Sequence, residues 1–206
     1  MLRETGITYA HAALFHPGFR HAAATRRELG ISTLFNVLGP LCNPARPEAS
    51  AVGVADLSRV PLLVGVFRTR GATALVYRGD DGIDKLTTTG HSHIWEVSRG
   101  AVTEHDLDPL ELGIPRAPIE ALLGGGHREN ADVIRRVLAG EPGPQRDVVL
   151  LNAAAGLEAF DLMGDPSRVQ QPMAARLREK LAVAADAVDS GRAAAKLEEW
   201  AAATRA

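Results

Sequence analysis

"AVGVADLSRVPLLVGVFRTRGATALVY", residues 51–77, sets the fold class. Its first five residues are small and apolar, as in a short buried strand. Residues 57–70 have the length and apolar content of a helix, and Gly71 stops it. Residues 73–77 read as a second strand. Strand, helix and strand on short joints form a βαβ unit, whose two strands lie parallel. The expected class is therefore α/β: a partial parallel sheet flanked by helices.

Toward the C-terminus, residues 84–105 change character. Segments 85–89, 94–97 and 101–105 read as short, half-polar antiparallel strands, with Arg99-Gly100 as a tight turn, which predicts a small hairpin insertion. From residue 130 the pattern is helical. Residues 147–162 are apolar nearly all round, which predicts a buried helix, and residues 173–203 form a long alanine-rich helical stretch. Toward the N-terminus, His16-Pro17 opens a helix that runs to Leu29 and stops at Gly30. Between that helix and the first strand lies "LFNVLGPLCNPARP", residues 34–47. Gly39, Pro40, Asn43, Pro44 and Pro47 break an otherwise apolar run, so the spacing predicts a buried irregular loop. No repeat or long linker divides the chain, and residues 1–206 read as a single α/β domain.

The bulk numbers narrow the function. A chain of 206 residues with 46% hydrophobic composition can bury one substantial core. Its formal net charge of -2, with basic residues spread along the sequence, provides no field to gather nucleic acid or a membrane surface. Cys42 is the lone cysteine, which excludes a disulfide framework within the chain and fits a reducing compartment. The first residues lack the apolar segment of a signal peptide, and no apolar run reaches the roughly 20 residues of a membrane span. The cytoplasm is the expected location.

Two segments carry candidate chemistry. On a helical wheel of residues 19–30, Phe19, Ala22, Ala23 and Leu29 share one face, and Arg26 sits in the middle of it. A guanidinium on an apolar face needs an anionic or polar partner, either a carboxylate of the protein or the carboxylate or phosphate of a ligand. Spacing does not separate the two. In "YRGDDGIDKLTTT", residues 77–89, Asp80, Asp81 and Asp84 follow the carboxyl end of a predicted strand, the edge at which open α/β sheets bind ligands. Such oxygens suit Mg²⁺ or an ordinary Asp-Gly turn. His91 and His93 alternate without a third ligand, so surface histidines are the simpler reading.

Three stretches in order, "LFHPGFRHAAATRRELGISTLFNVLGPLCNPARP", "VYRGDDGIDKLTTT" and "DVVLLNAAAGL", resemble anthranilate phosphoribosyltransferases of tryptophan biosynthesis. The family pattern around residues 34–45 is close to F-N-L-L-G-P-L-T-N-P, from which only Val37 and Cys42 depart. The resemblance covers almost the whole chain but only the later part of the family's sequence. It implies the C-terminal domain fold shared by nucleoside phosphorylases and these phosphoribosyltransferases, with residues 34–47 as a sharp buried turn near the substrate cleft. It also implies transfer of phosphoribosyl from phosphoribosyl pyrophosphate to anthranilate, with pyrophosphate released and Mg²⁺ assisting. The family's anthranilate-binding arginine falls on Arg26, with Phe19, Ala12, Ala13 and His16 beside the same pocket.

The family's metal-binding Asp-Glu pair falls on Asp84-Lys85, where a cation replaces one carboxylate. The family's helical domain and its G-T-G-G-D and K-H-G-N segments have no counterpart in these residues. The expectation is a shortened member whose donor site is mostly missing, weakly active or inactive alone. An unpaired sheet edge would favour a homo-oligomer or a complementing polypeptide. The alternative is a non-catalytic binding protein that keeps the scaffold and the anthranilate pocket.

Overall fold

The computed structural model describes residues 1–19, 21, 25, 28–30 and 35–205. The chain divides into two compact units, Met1–Pro47 with Glu199–Ala206, and Glu48–Glu198.

In the first unit, α1 (Leu2–Thr5) and α2 (Ala12–Phe15) are single turns, and a 3₁₀ turn spans Pro17–Phe19. The helix expected from residue 16 to 29 lies partly outside the described residues. The breaker-rich stretch departs from expectation, because Phe35–Leu41 forms a short helix, α3, with Pro40 inside it. Proline there forfeits only one bond, to the carbonyl four residues back, and the Cys42 amide still reaches the Leu38 carbonyl at 2.8 Å. The irregular part begins after it, where Asn43 Oδ1 accepts from the Ala45 amide at 3.0 Å in an Asx turn.

The second unit holds a four-stranded sheet in the order β1 (Ala49–Gly53), β2 (Thr73–Gly79), β3 (Ser92–Ser98) and β4 (Ala101–Leu107). β1 and β2 are parallel, with Ala49 opposite Thr73 and Gly53 opposite Tyr77. Their crossover is a 3₁₀ turn, Leu57–Arg59, leading into α4 (Val60–Arg70). Gly71 closes α4 at φ 66, a left-handed conformation that glycine adopts without a Cβ clash. The βαβ expectation holds. β3 and β4 run antiparallel, and the turn between them has positive φ at both Arg99 (49°) and Gly100 (78°), the primed geometry that matches strand twist. This hairpin extends the main sheet directly. Residues 85–89, expected as a strand, form a loop instead.

Helices follow as α5 (His127–Leu138), α6 (Pro144–Gly164), α7 (Met173–Asp189) and α8 (Arg192–Ala203). Leu75, Tyr77 and Ile94 from one sheet face pack with Leu151, Ala154, Ala155 and Ala159 of α6 and with Met173 and Leu177 of α7. Alternation sends Ala74 and Val76 to the other face, which α4 covers with buried Leu63 and Phe67. Helix α6 is less enclosed than its composition suggested: Val149 is 46% exposed and Phe160 63%. Among the described residues no helix is long and apolar enough to cross a membrane.

Candidate functional site

The carboxyl ends of β1 and β2 open onto the loop of residues 80–91, and three devices fix that loop. Gly53 ends β1 where a Cβ would lie 1.7 Å from the Asp84 carbonyl oxygen, so only glycine lets the loop backbone cross there. Asp81 ties the loop to itself. Its Oδ2 accepts from the Thr87 and Thr89 hydroxyls at 2.7 Å each, and its Oδ1 accepts from the Ile83 amide at 3.1 Å. Partial desolvation pushes the carboxyl of the exposed Asp81 upward, but these bonds outweigh it and hold the carboxyl below its ordinary range. Asn152, on α6, clamps the far side: its Oδ1 accepts from the Leu86 amide at 3.0 Å, and its Nδ2 donates to the Leu86 carbonyl at 2.8 Å.

The loop thus presents Asp84 and Lys85 outward, 58% and 54% exposed, with Lys85 Nζ 2.6 Å from Asp84 Oδ1. Beneath them Tyr77 is buried, and burial together with the Asp84 charge pushes its hydroxyl up to about 12. It stays protonated at neutral pH. No cluster of three or more histidine, cysteine or acidic groups able to hold a metal exists among the described residues. The two histidines of the sequence reading are consumed by acids on and beyond β4. His91 lies 2.5 Å from Asp106 Oδ1, a bond that raises its imidazole above the ordinary value, and His93 lies 3.0 Å from Glu104.

The remaining candidates lie in the first unit. Ala12 and Ala13 fall in α2, and the rings of His16 and Phe19 stack with centroids 4.8 Å apart. Arg26 lies outside the described residues. Sequence reasoning missed Asn152 as the loop's clamp, although a lone amide inside an apolar helix was the signal. It also missed an ion network behind the sheet. Arg176 is fully buried and donates to Glu158 Oε1 at 2.9 Å and to Glu96 Oε2 at 2.5 Å, while Arg168 donates to Glu158 Oε2 at 2.8 Å.

Residues 1–194 match the family model described as the glycosyl transferase family, a/b domain. An anthranilate phosphoribosyltransferase of Clavibacter michiganensis subsp. michiganensis (strain NCPPB 382) is 95% identical over 206 residues, which is all of this chain and 59% of that protein. The crystal structure of anthranilate phosphoribosyltransferase from Thermus thermophilus superimposes with a TM-score of 0.81 at 41% identity, covering 95% of this chain and 55% of that one. The enzyme from Saccharomyces cerevisiae in complex with PRPP and Mg gives a TM-score of 0.76 at 26% identity, over 91% of this chain and 50% of that one. The chain spans 59% of the length of the first curated relatives it matches. With the sheet, its crossover helix and the Asp84 loop all inside the matched residues, this chain belongs to the glycosyl transferase family through its a/b domain.

Proposed function

We propose that this chain is the α/β part of an anthranilate phosphoribosyltransferase, acting in the cytoplasm in tryptophan biosynthesis. The observation that carries the reading is 95% identity along all 206 residues to a curated enzyme of that name. In the reaction the amine of anthranilate forms a bond to C1 of phosphoribosyl pyrophosphate. The C1–O bond breaks, its electron pair leaves with pyrophosphate, and the amine proton passes to solvent. The protein positions both substrates and stabilises charge on the leaving group.

Arg26 grips the anthranilate carboxylate through a bidentate pair, with Phe19, His16, Ala12 and Ala13 as nearby wall. The Asp84-Lys85 corner serves the diphosphate end. It does not fit a paired-carboxylate Mg²⁺ centre, because the Lys85 ammonium sits 2.6 Å from the carboxylate that would ligate the metal. That ammonium supplies positive charge to the diphosphate itself.

Calorimetry with anthranilate tests the pocket, with binding expected for the chain and lost in Arg26→Ala. No heat from the unmodified chain overturns the reading. Loss of anthranilate fluorescence on adding phosphoribosyl pyrophosphate and Mg²⁺ then tests turnover. Binding without turnover supports the second reading, a non-catalytic anthranilate binder, which the Asp84–Lys85 ion pair favours.

A further inference from the structure

The loop of residues 80–91 ends against a second segment, residues 108–117, and one side chain joins the two. His91 lies between two carboxylates. Its Nδ1 is 2.5 Å from Oδ1 of Asp106, near the end of β4, and its Nε2 is 3.4 Å from Oδ2 of Asp108. Asp108 is itself held in place. Its Oδ1 accepts from the Leu110 amide at 3.0 Å, capping the 3₁₀ turn Pro109–Leu112, and its Oδ2 accepts from Arg116 Nη2 at 2.7 Å. Beside this cluster the Ala117 amide donates to the Thr88 carbonyl at 3.0 Å, so the backbones of loop and segment also meet. Two acids, an imidazole and a guanidinium thus form one continuous row across the junction.

The two ring contacts make different demands. A neutral imidazole has one donor nitrogen and one acceptor, whereas the imidazolium donates from both. With a carboxylate facing each nitrogen, the neutral ring satisfies Asp106 and turns a lone pair toward Asp108. Only the imidazolium serves both acids. The charged groups that act on the ring are Asp106, Asp108 and Arg116, two anions against a cation that Asp108 already holds. Asp80 contributes only its amide, which donates to the His91 carbonyl at 2.9 Å, and the neighbouring His93 is taken by Glu104 at 3.0 Å. Led by the Asp106 bond, and against slight desolvation, this balance raises the imidazole above its ordinary value. The side chain is 42% exposed, so protons exchange with it freely. We propose that His91 is a pH-operated latch between the 80–91 loop and the 108–117 segment, closed on both acids as imidazolium and released from Asp108 as neutral imidazole. Because the folded value is raised, the latch is fully closed below the unfolded value of about 6.5 and opens as pH rises through the folded value. The latch does not depend on the transferase reading.

The test follows the full chain by NMR from about pH 5 to about pH 9, reading the His91 ring signals and amide hydrogen exchange corrected for its intrinsic pH dependence. The ring is expected to titrate above about 6.5, and protection of the Ala117 amide to fall about threefold along the same curve, the scale of an exposed ion pair, while the Ile94 amide in β3 keeps its protection. Asp108→Asn, which keeps an oxygen to cap the turn, lowers the His91 midpoint. His91→Gln, whose amide does not titrate, abolishes the step at Ala117. A midpoint at or below about 6.5 in the unmodified chain overturns the proposal, as does an Ala117 protection that stays level across the midpoint. So does a step that survives in His91→Gln, or a midpoint unmoved in Asp108→Asn, with the fold intact by circular dichroism. Equal loss at Ile94 marks opening of the whole unit and overturns it too.

Discussion

A buried carboxylate–cation cluster and an exposed pair in the second unit have nearly the same contact distances and opposite surroundings. Arg176 meets Glu96 at 2.5 Å and Glu158 at 2.9 Å behind the sheet, with all three side chains at most 1% exposed. Lys85 meets Asp84 at 2.6 Å on the loop, with both side chains more than half exposed. Distance therefore does not decide what a pair does. In the core, each charge has lost its water and depends on its partner, so removing one group leaves the other stranded. On the loop, water and ions compete for both groups, and the pair can open to a ligand at little cost. The network behind the sheet holds helices to strands, and the loop pair is the one that the proposed function has meet a ligand.

The largest expected effect breaks the buried side of this comparison. Arg176→Met leaves Glu96 and Glu158 facing each other without their shared cation, and costs about 3–5 kcal/mol. Urea denaturation followed by circular dichroism reads it. A loss below about 1 kcal/mol would mean that water enters the cluster and that the contrast with the loop is false. Gly53→Ala comes next, at about 3 kcal/mol, because its methyl must displace the Asp84 backbone from 1.7 Å and no side chain can yield instead. Asn152→Ala removes the partner of both Leu86 backbone groups and costs about 2 kcal/mol. Hydrogen exchange sharpens that case: the Leu86 amide should lose protection while the β2 amides keep theirs.

The parts that were legible in the sequence were those governed by local rules. Period and punctuation gave the β1–α4–β2 crossover, since Gly71 and the apolar spacing act within a few residues. Arg99-Gly100 announced its turn because so few residues accept positive φ. The misreadings came from long-range partners. Residues 85–89 look like a strand until Asn152, on α6, takes the Leu86 backbone groups that a neighbouring strand would have used. The Pro40 segment looks like a loop because a proline near the end of a helix is not distinguishable by composition from one that prevents it. The exposed face of α6 was also hidden from composition, because Val149 and Phe160 are as apolar as the residues that pack. The wheel found an arginine needing a partner at residue 26, whereas the buried arginine that the structure describes is Arg176, which sits among charged neighbours and gave no such signal.

A smaller effect follows from Asp81. Partial desolvation raises its carboxyl, but Thr87, Thr89 and backbone amides donate to it and hold it below the ordinary value in the folded chain. A depressed folded value stabilises above the unfolded value of about 4 and is lost as pH falls through the folded one. Thr87→Val should therefore lower stability at neutral pH and flatten its decline below pH of about 4. Parallel acid titrations of the two proteins would refute the assignment.

The smallest change in stability is expected at Lys85→Glu, and it tests the exposed side directly. Both groups are more than half exposed, so exchanging an attractive contact for a repulsive one should move stability by no more than about 0.5 kcal/mol. Ligand access should change far more. In the unmodified chain the ammonium competes with any divalent ion for the Asp84 oxygen, whereas the variant offers two adjacent carboxylates held by the Asp81 and Asn152 clamps. Uptake of Mn²⁺, read from loss of the free-ion electron paramagnetic resonance signal, should appear in Lys85→Glu with affinity on the order of 1 mM and be absent in the parent. Equal uptake by the two proteins would mean that the lysine does not guard the carboxylate. Solvent exposure would then no longer explain why this pair, unlike Arg176 and its acids, is the one proposed to meet a ligand.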